Sequence, residues 1–544
     1  MTIKRFKLMF KIKIALLTVL SGVVMWLAHN YSILWFVSLI GLIPILYIVY
    51  TQNLKHYQNF LVGFVAGTIM LAGVMLWHWN MLPLDWAGIN NSASELFLVF
   101  YIWILSSTTA GLIGLWTLGL GYLKRNNWFD LLLAPALWVV IEFIRSIVVS
   151  ILWHGEGSTI GSHWSISFVG YDLAAANFLL PFGAIGGVYI LSFIVILFNL
   201  LLFFYFRDYL EKQNLTIHYK LAGVVILVIV IFNIGNSIIR HQSEPEKIVP
   251  VAVVNTYLES FSRITKDQFG DITDSHKALL STIKKENRSP KIIIFPEDSR
   301  FLVGLTVAEE QNFLKEIFND QEVLIIDSAR IPKEEGKPVA LTFNFLNITE
   351  DQIVFSDKQF LIPHGEYIPY LSAGILRLTG NGEWVDNFSA SRGFSKGKNV
   401  KLVDFMDFKI GALACSEAMS LSFNRKLVDQ GTGFIINIAS HSLFNGSKIL
   451  YNQILNMGKL RAIENNRYYV HAGNFVPSFV IDNQGRLVQE SDWGEDSLIY
   501  QDIAIIESDS FYNRFGRWIF SGLFILIIFI GLLVRLKPKF GKYI

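Results

Sequence analysis

Apolar stretches of membrane-spanning length fill this chain from residue 14 to residue 235, and they fix its class before any motif is considered. A helix needs about 20 apolar residues to cross the hydrocarbon core of a bilayer. Such stretches read near 14–28, 33–50, 60–77, 96–120, 131–151, 181–206 and 221–234, and an eighth near 518–534. Charged residues make up 17% of the chain, against roughly 25% in soluble domains. The deficit is concentrated in those stretches, and residues 245–510 carry charge at an ordinary density. The expected organisation is a seven-span membrane bundle over 1–240, one inserted domain over 245–510, and an eighth span with a tail over 515–544. The inserted part, about 260 residues, is a normal size for one α/β domain.

Lysine and arginine in short loops orient such a bundle. Lys4, Arg5, Lys7, Lys11 and Lys13 precede the first stretch. Lys55, then Lys124 with Arg125, then Arg207, Lys212 and Lys220 fall in alternate loops, and Arg535, Lys537, Lys539 and Lys542 close the chain. These loops are expected on the cytoplasmic side, which puts both termini inside and the inserted domain outside. The basic start followed by an apolar run resembles a signal peptide, but small-residue cleavage signals are poor and a retained helix is expected. Net charge is +2 with no basic stripe, so nucleic acid is not an expected partner. Cys415 is the single cysteine, which excludes an internal disulfide. Glu142 and Arg145, three apart in the fifth stretch, read as an i,i+3 pair facing the bundle or as an arginine snorkelling outward. The Gly-, Ser- and His-rich loop 153–164 is either a turn region or a cover over a site.

In the inserted domain, strand patterns at 248–256, 291–295, 322–327, 340–346, 352–355, 410–414, 433–438, 468–472 and 478–481 alternate with helical patterns at 275–285, 308–318 and 447–465. Strands alternating with helices indicate a layered α/β domain. Glu297 follows one buried strand, Cys415 follows another, and Lys358 opens a Pro-containing loop. An acid, an amine and a thiol make a nucleophilic site: the thiolate attacks, a carboxylate takes its proton, and an ammonium stabilises an oxyanion. Each residue also has an ordinary reading, with Glu297 at the surface, Lys358 solvated and Cys415 buried and inert. Spacing alone leaves both readings open.

Together, FPED around Glu297, KQFLIPHGE from Lys358 to Glu366, ACSEAM around Cys415 and RAIENNRYYVHAGN downstream resemble the nitrilase superfamily. Eight spans with such a domain between the last two resemble the apolipoprotein N-acyltransferases. That resemblance implies an αββα sandwich and a Glu297–Lys358–Cys415 triad, with Glu366 and Glu417 positioning the lysine and the cysteine loop. It implies that an acyl chain passes from a phospholipid through a Cys415 thioester to the N-terminal amine of S-diacylglyceryl-cysteine on an apolipoprotein. The location implied is the bacterial inner membrane with the catalytic domain on the periplasmic side, and no cofactor or metal is implied. The chain departs from the family pattern at His364, Ser416 and His441, which are candidate substrate-pocket residues, and at His471. The alternatives are an acyltransferase of the same build with another amine acceptor, a membrane-tethered amidase, and a non-catalytic lipid- or lipoprotein-binding homologue.

Overall fold

The computed structural model describes residues 3–536, apart from 90, 242–246, 260–267, 303, 320, 333–338, 349–351 and 392. The expected tail beyond residue 536 lies outside the described residues. Among the described residues, seven segments are long and apolar enough to cross a membrane: Lys11–Asn30, Ser32–Thr51, His56–Val74, Ser92–Leu123, Asp130–Leu152, Leu180–Leu210 and Thr216–Asn236. Each coincides with one apolar stretch of the sequence. The eighth expected crossing falls on helix Phe511–Leu536, whose 26 residues span about 39 Å at 1.5 Å per residue. It packs against helices Gly183–Leu210 and Asp130–Leu152.

Buried polar side chains tie the bundle together through specific partners, as a water-poor interior requires. His29 Nδ1 lies 2.7 Å from Asp172 Oδ1. Glu142 and Arg145 are both buried, and each takes partners in the segment that follows their helix. Glu142 Oε1 accepts from Trp138 Nε1 at 3.0 Å and from the Val169 amide at 2.9 Å. Arg145 donates to Ser167 Oγ and to the Ile166 carbonyl, both at 2.7 Å. Of the two readings the sequence left open, Arg145 faces the bundle rather than snorkelling outward, and it fixes residues 166 and 167.

Among its described residues the inserted domain has thirteen strands: β1 (Lys247–Asn255), β2 (Ile292–Ile294), β3 (Leu324–Pro332), β4 (Val339–Asn347), β5 (Gln352–Asp357), β6 (Val403–Phe405), β7 (Phe408–Ile410), β8 (Ala412–Ala414), β9 (Ile435–Ser440), β10 (Tyr469–Asn474), β11 (Phe479–Ile481), β12 (Leu487–Glu490) and β13 (Ser497–Ile505). One sheet runs β13-β1-β2-β3-β4-β5, the other β12-β11-β10-β9-β8, and β6-β7 form a separate ribbon. Pairing is parallel at β1/β2, β2/β3, β8/β9 and β9/β10. Successive side chains of a strand face opposite ways, and the apolar residues sort accordingly. Val249, Val251 and Val253 of β1 meet Ile436, Ile438, Val470 and Ala472 of the other sheet in a shared core. Ala252 and Val254 face the other way, onto Leu280 and Ile283 of helix Phe269–Lys285 and Leu314 of helix Val307–Phe318. Leu413, Ile435 and Tyr469 face Leu427 of helix Leu421–Asp429 and Ile454 of helix Lys448–Asn465. The layers are helix, sheet, sheet, helix, as the resemblance implies.

Helix Lys448–Asn465 has a second apolar face. Met457, Leu460 and Ile463 belong to the core of the membrane bundle, so this helix joins the two parts. Its buried polar residues find partners across that boundary. Gln453 Nε2 donates to the Val74 carbonyl at 2.8 Å, and Arg461 donates to Tyr171 Oη at 3.0 Å. Glu464 Oε1 accepts from the Val188 amide at 2.8 Å. That amide is available because the helix is broken at Gly187, where φ is +62°. A β-carbon there would come within 2.9 Å of the Glu464 carboxylate, so only glycine fits this approach.

Candidate functional site

Three strand ends converge at one edge of the sandwich. Three residues beyond β2, Glu297 is buried, and its Oε2 accepts from the amide of Ser440, the last residue of β9, at 3.2 Å. One residue beyond β5, Lys358 has its backbone pinned on both sides. Its amide donates to the Leu341 carbonyl at 2.9 Å, and its carbonyl accepts from the Gly397 amide at 2.8 Å. Its side chain is 1% exposed. Nζ donates to Glu366 Oε1 at 2.6 Å. Glu366 is itself held, since its Oε2 accepts from the Ile362 amide at 2.8 Å.

Cys415 directly follows β8. The strand residues Ala412–Ala414 are buried, whereas Cys415 is partly exposed. Its φ of +42° lies in the left-handed region, which costs a non-glycine residue about 1–2 kcal/mol. Two side chains hold that turn. Asn437 Nδ2 donates to the carbonyls of Leu413 and Cys415, at 3.4 Å each. Glu417 Oε2 accepts from the Ala414 amide at 2.8 Å. The same carboxylate reaches the lysine loop, where Oε1 accepts from the amides of Gln359 at 2.8 Å and Phe360 at 3.1 Å. Ser416 Oγ donates to the Phe360 carbonyl at 2.7 Å. Glu417 and Ser416 thus bind the cysteine turn to the lysine loop by three bonds beyond the sheet.

Glu417→Gln keeps the shape but puts an amide NH2, a donor, where a backbone N–H needs an acceptor. A buried donor left unpaired costs about 1–3 kcal/mol. The variant is expected to melt at lower temperature and to lose at least about tenfold in turnover. Melting curves and initial rates on the full chain check this.

Electrostatics follow from burial and these neighbours. Burial raises the Glu297 carboxyl to about 7; Lys358 opposes the shift and Glu366 adds to it. Burial and the Glu297 charge push the Cys415 thiol up to about 12, with Lys358 opposing. Burial works against the Lys358 charge, but Glu366 and then Glu297 outweigh it and hold the ammonium well above its ordinary range. At neutral pH the site therefore holds a neutral thiol, an ammonium and a carboxyl group close to its titration point. Proton transfer from sulfur to Glu297, coupled to attack, is the chemistry such a set can perform.

The remaining sequence candidates lie around this centre. His364, at φ +66°, has Nε2 2.8 Å from Ser372 Oγ and its ring edge-on to Trp153 at 4.9 Å. Burial lowers its pKa to about 3, so it is neutral. His441 is buried, and its ring sits 6.0 Å from that of His471. Both His441 ring nitrogens lack hydrogen-bond partners among the described residues. His471 Nδ1 is 3.0 Å from Asn437 Oδ1. Asn437 and Ser440 were not singled out individually as site residues in the sequence. The signal for Asn437 was an amide inside the apolar run GFIINIA. No group of three or more His, Cys, Asp or Glu among the described residues could hold a metal ion.

The loop 153–164 lies over both active loops. Tyr367 Oη donates to the Trp153 carbonyl at 2.7 Å, and His163 Nδ1 is 2.8 Å from Ser420 Oγ.

Residues 21–201 match the family described as "Apolipoprotein N-acyltransferase N-terminal domain", and residues 377–510 match "Carbon-nitrogen hydrolase". Cys415 lies within the second match, and Glu297 and Lys358 precede it. An apolipoprotein N-acyltransferase of Geobacter metallireducens is 25% identical over 510 residues, covering 92% of this chain and 91% of that protein. One from Aquifex aeolicus is 24% identical, covering 88% of this chain and 96% of that protein. A solved carbon-nitrogen hydrolase superfamily protein of Xanthomonas campestris is 15% identical, with a TM-score of 0.34, covering 51% of this chain and 97% of that one. The similarity to apolipoprotein N-acyltransferases runs over most of the chain, and the chain is a membrane protein whose residues 377–510 match the carbon-nitrogen hydrolase family.

Proposed function

We propose that this chain, similar to apolipoprotein N-acyltransferases over most of its length, transfers an acyl chain from a phospholipid to the N-terminal amine of S-diacylglyceryl-cysteine on an apolipoprotein. The observation that carries this reading is the meeting of Glu297, Lys358 and Cys415 at one edge of a domain seated on an apolar helical bundle. Both proposed substrates carry acyl chains that reside in a membrane, which a bundle of membrane-spanning length gives the domain access to.

In the first half-reaction Cys415 Sγ attacks the ester carbonyl carbon as its proton passes to Glu297. Lys358 Nζ–H stabilises the tetrahedral oxyanion. Collapse breaks the ester C–O bond, and Glu297 returns the proton to the departing lysophospholipid oxygen. In the second half, the acceptor amine attacks the thioester carbonyl and gives its proton to Glu297. The C–S bond breaks, and the proton returns to sulfur. Glu366 holds Lys358 in place, and Glu417 holds the cysteine turn against the lysine loop. His364 and His441 shape the pocket, with Ser416 contributing through the Phe360 carbonyl it binds. The proposed division is a bundle over 1–240, the catalytic domain over 245–510 and the eighth helix with its tail over 515–544. The catalytic domain faces the periplasm of the inner membrane, with both termini cytoplasmic.

Glu297 must be ionised to accept the thiol proton. With its carboxyl at about 7, the ionised fraction falls about tenfold per pH unit below that point. Turnover is expected to rise with pH along one acid limb centred near 7, and Glu297→Gln is expected to remove the limb together with the activity. Rate–pH profiles of both proteins check this. The function itself is tested by expressing the chain in cells depleted of their own N-acyltransferase and examining lipoprotein N-termini by mass spectrometry. Triacylated termini are expected. Diacylated termini alone, with the folded protein present in the membrane, contradict the reading.

A further inference from the structure

We propose that residues 153–171, which join the fifth and sixth membrane helices, are a strap that sets the geometry of the Cys415 turn, with Ser165 and His163 as positioning residues. This rests on Cys415 being the nucleophile. The strap is rooted in the membrane bundle, where Glu142 and Arg145 hold residues 166–169.

From that root a directional hydrogen-bond chain runs to the nucleophile turn. Ser165 Oγ donates to the Met419 carbonyl at 2.6 Å. A hydroxyl has one proton, so in its 2.7 Å contact with Tyr171 Oη Ser165 must accept. Tyr171 therefore donates to Ser165, and its oxygen accepts from Arg461 at 3.0 Å. The order is Arg461 to Tyr171 to Ser165 to Met419, and Met419 ends the turn that Cys415 begins. Every member of the chain except the partly buried Met419 is buried, so water cannot readily substitute for a missing link.

His163 makes the second attachment. Its Nδ1 lies 2.8 Å from Ser420 Oγ and 3.1 Å from Ser422 Oγ, and its ring rests against Phe360 and Phe423 at 5.3 and 5.1 Å. Upstream, the strap grips the lysine loop. The His154 carbonyl accepts from the Tyr370 amide at 2.8 Å, and Thr159 Oγ1 donates to the Gln359 carbonyl at 3.3 Å. At Gly155 a β-carbon would come within 2.8 Å of the Ile368 carbonyl, so the two backbones meet directly. One membrane-rooted segment thus holds both loops whose relative placement brings Lys358 to Cys415. The positive φ of Cys415 is a conformation that needs such external support.

The test uses the lone cysteine. The rate of Cys415 alkylation by iodoacetamide is measured on the detergent-solubilised full chain, across pH, for the native protein and for Ser165→Ala, Ser165→Thr, Tyr171→Phe and His163→Phe. Ser165→Ala is expected to slow alkylation about tenfold and to shift its pH profile, while Ser165→Thr, which keeps the hydroxyl, stays within about twofold of native. Tyr171→Phe, which keeps the ring and loses the hydroxyl that donates to Ser165 and accepts from Arg461, is expected to slow it severalfold and gives the readout if Ser165→Ala does not fold. Native rates and profiles in folded Ser165→Ala or Tyr171→Phe overturn the strap. Acyl-thioester formation from phospholipid is followed in parallel. Its absence in the native protein, with alkylation still sensitive to Ser165, defeats the acyltransfer reading and leaves the strap standing.

Discussion

Cys415→Ala is expected to abolish acyl transfer while leaving the fold nearly unchanged. In the proposed reaction sulfur forms the only covalent bond between the protein and the acyl chain, so its removal deletes the reaction path rather than weakening it. A loss of at least about 10,000-fold is expected, as for nucleophile deletions generally. The stability effect is small because the side chain is only partly buried and the turn is held by Glu417 and Asn437 from outside. Alanine inherits the same left-handed φ of +42° and the same strain. Turnover and melting temperature measured on the same sample separate these effects. More than about 1% of native turnover in this variant would sink the assignment of Cys415 as nucleophile.

Lys358→Met is expected to lose both activity and stability, with a pH signature. The ammonium is the hydrogen-bond partner of Glu366 and the positive charge that acts most strongly on Glu297. Removing it leaves two buried carboxyl groups without their main counter-charge, and breaking a buried pair costs about 3–5 kcal/mol. Loss of the oxyanion contact removes a further 100- to 1,000-fold, approximately, from turnover. The sign of the pH effect follows from proton linkage. Burial already raises the Glu297 carboxyl and Lys358 opposes that shift; without the ammonium its folded-state pKa lies further above the unfolded one, so the native state binds more protons, and stability falls as pH rises through that window. The drop in melting temperature is therefore expected to be larger at pH 8 than at pH 5. Lys358→Met/Glu366→Gln removes one buried charge along with its partner and is expected to recover much of the stability and none of the activity. A double variant no more stable than the single one would show that the ion pair is not the source of the loss.

The parts of this molecule that were legible in its sequence are those set by local pattern. Seven apolar stretches became seven helices of spanning length because nothing but a bilayer accommodates them. The strands leading to Glu297 and Cys415 were legible because parallel strands buried on both faces read as continuous apolar runs. Ser497–Ile505 was missed, although Ile499, Ile503 and Ile505 do point into the core. Its Tyr500, Gln501 and Asp502 interrupt the pattern, and it earns its place only by pairing with β1. Helix Leu421–Asp429 was missed because its apolar residues are few, though its Ser420 cap is a recognisable start signal.

Long-range partners were the least legible. Ser416 stood out as a departure beside the nucleophile, but nothing local says that its hydroxyl goes to the Phe360 carbonyl. Glu142 and Arg145 suggested a pair by their spacing, yet each is bound by the segment that folds back from residues 166–169. His163 and Ser165 looked like loop residues because their partners, Ser420 and Met419, lie more than 250 positions away. Such contacts depend on how helix Lys448–Asn465 seats the domain on the bundle, and periodicity within either part carries no record of that seating.

The central claim is that an acyl chain passes through Cys415, and trapping it there is the most direct measurement. The purified full chain is incubated with phospholipid alone, digested, and the Cys415 peptide weighed by mass spectrometry. The expected result is a peptide heavier by one acyl chain, discharged by hydroxylamine and by a diacylated lipopeptide carrying a free amine, and absent from Cys415→Ala. A folded native protein that never gains the acyl mass, or that keeps it when the amine acceptor is added, contradicts the account.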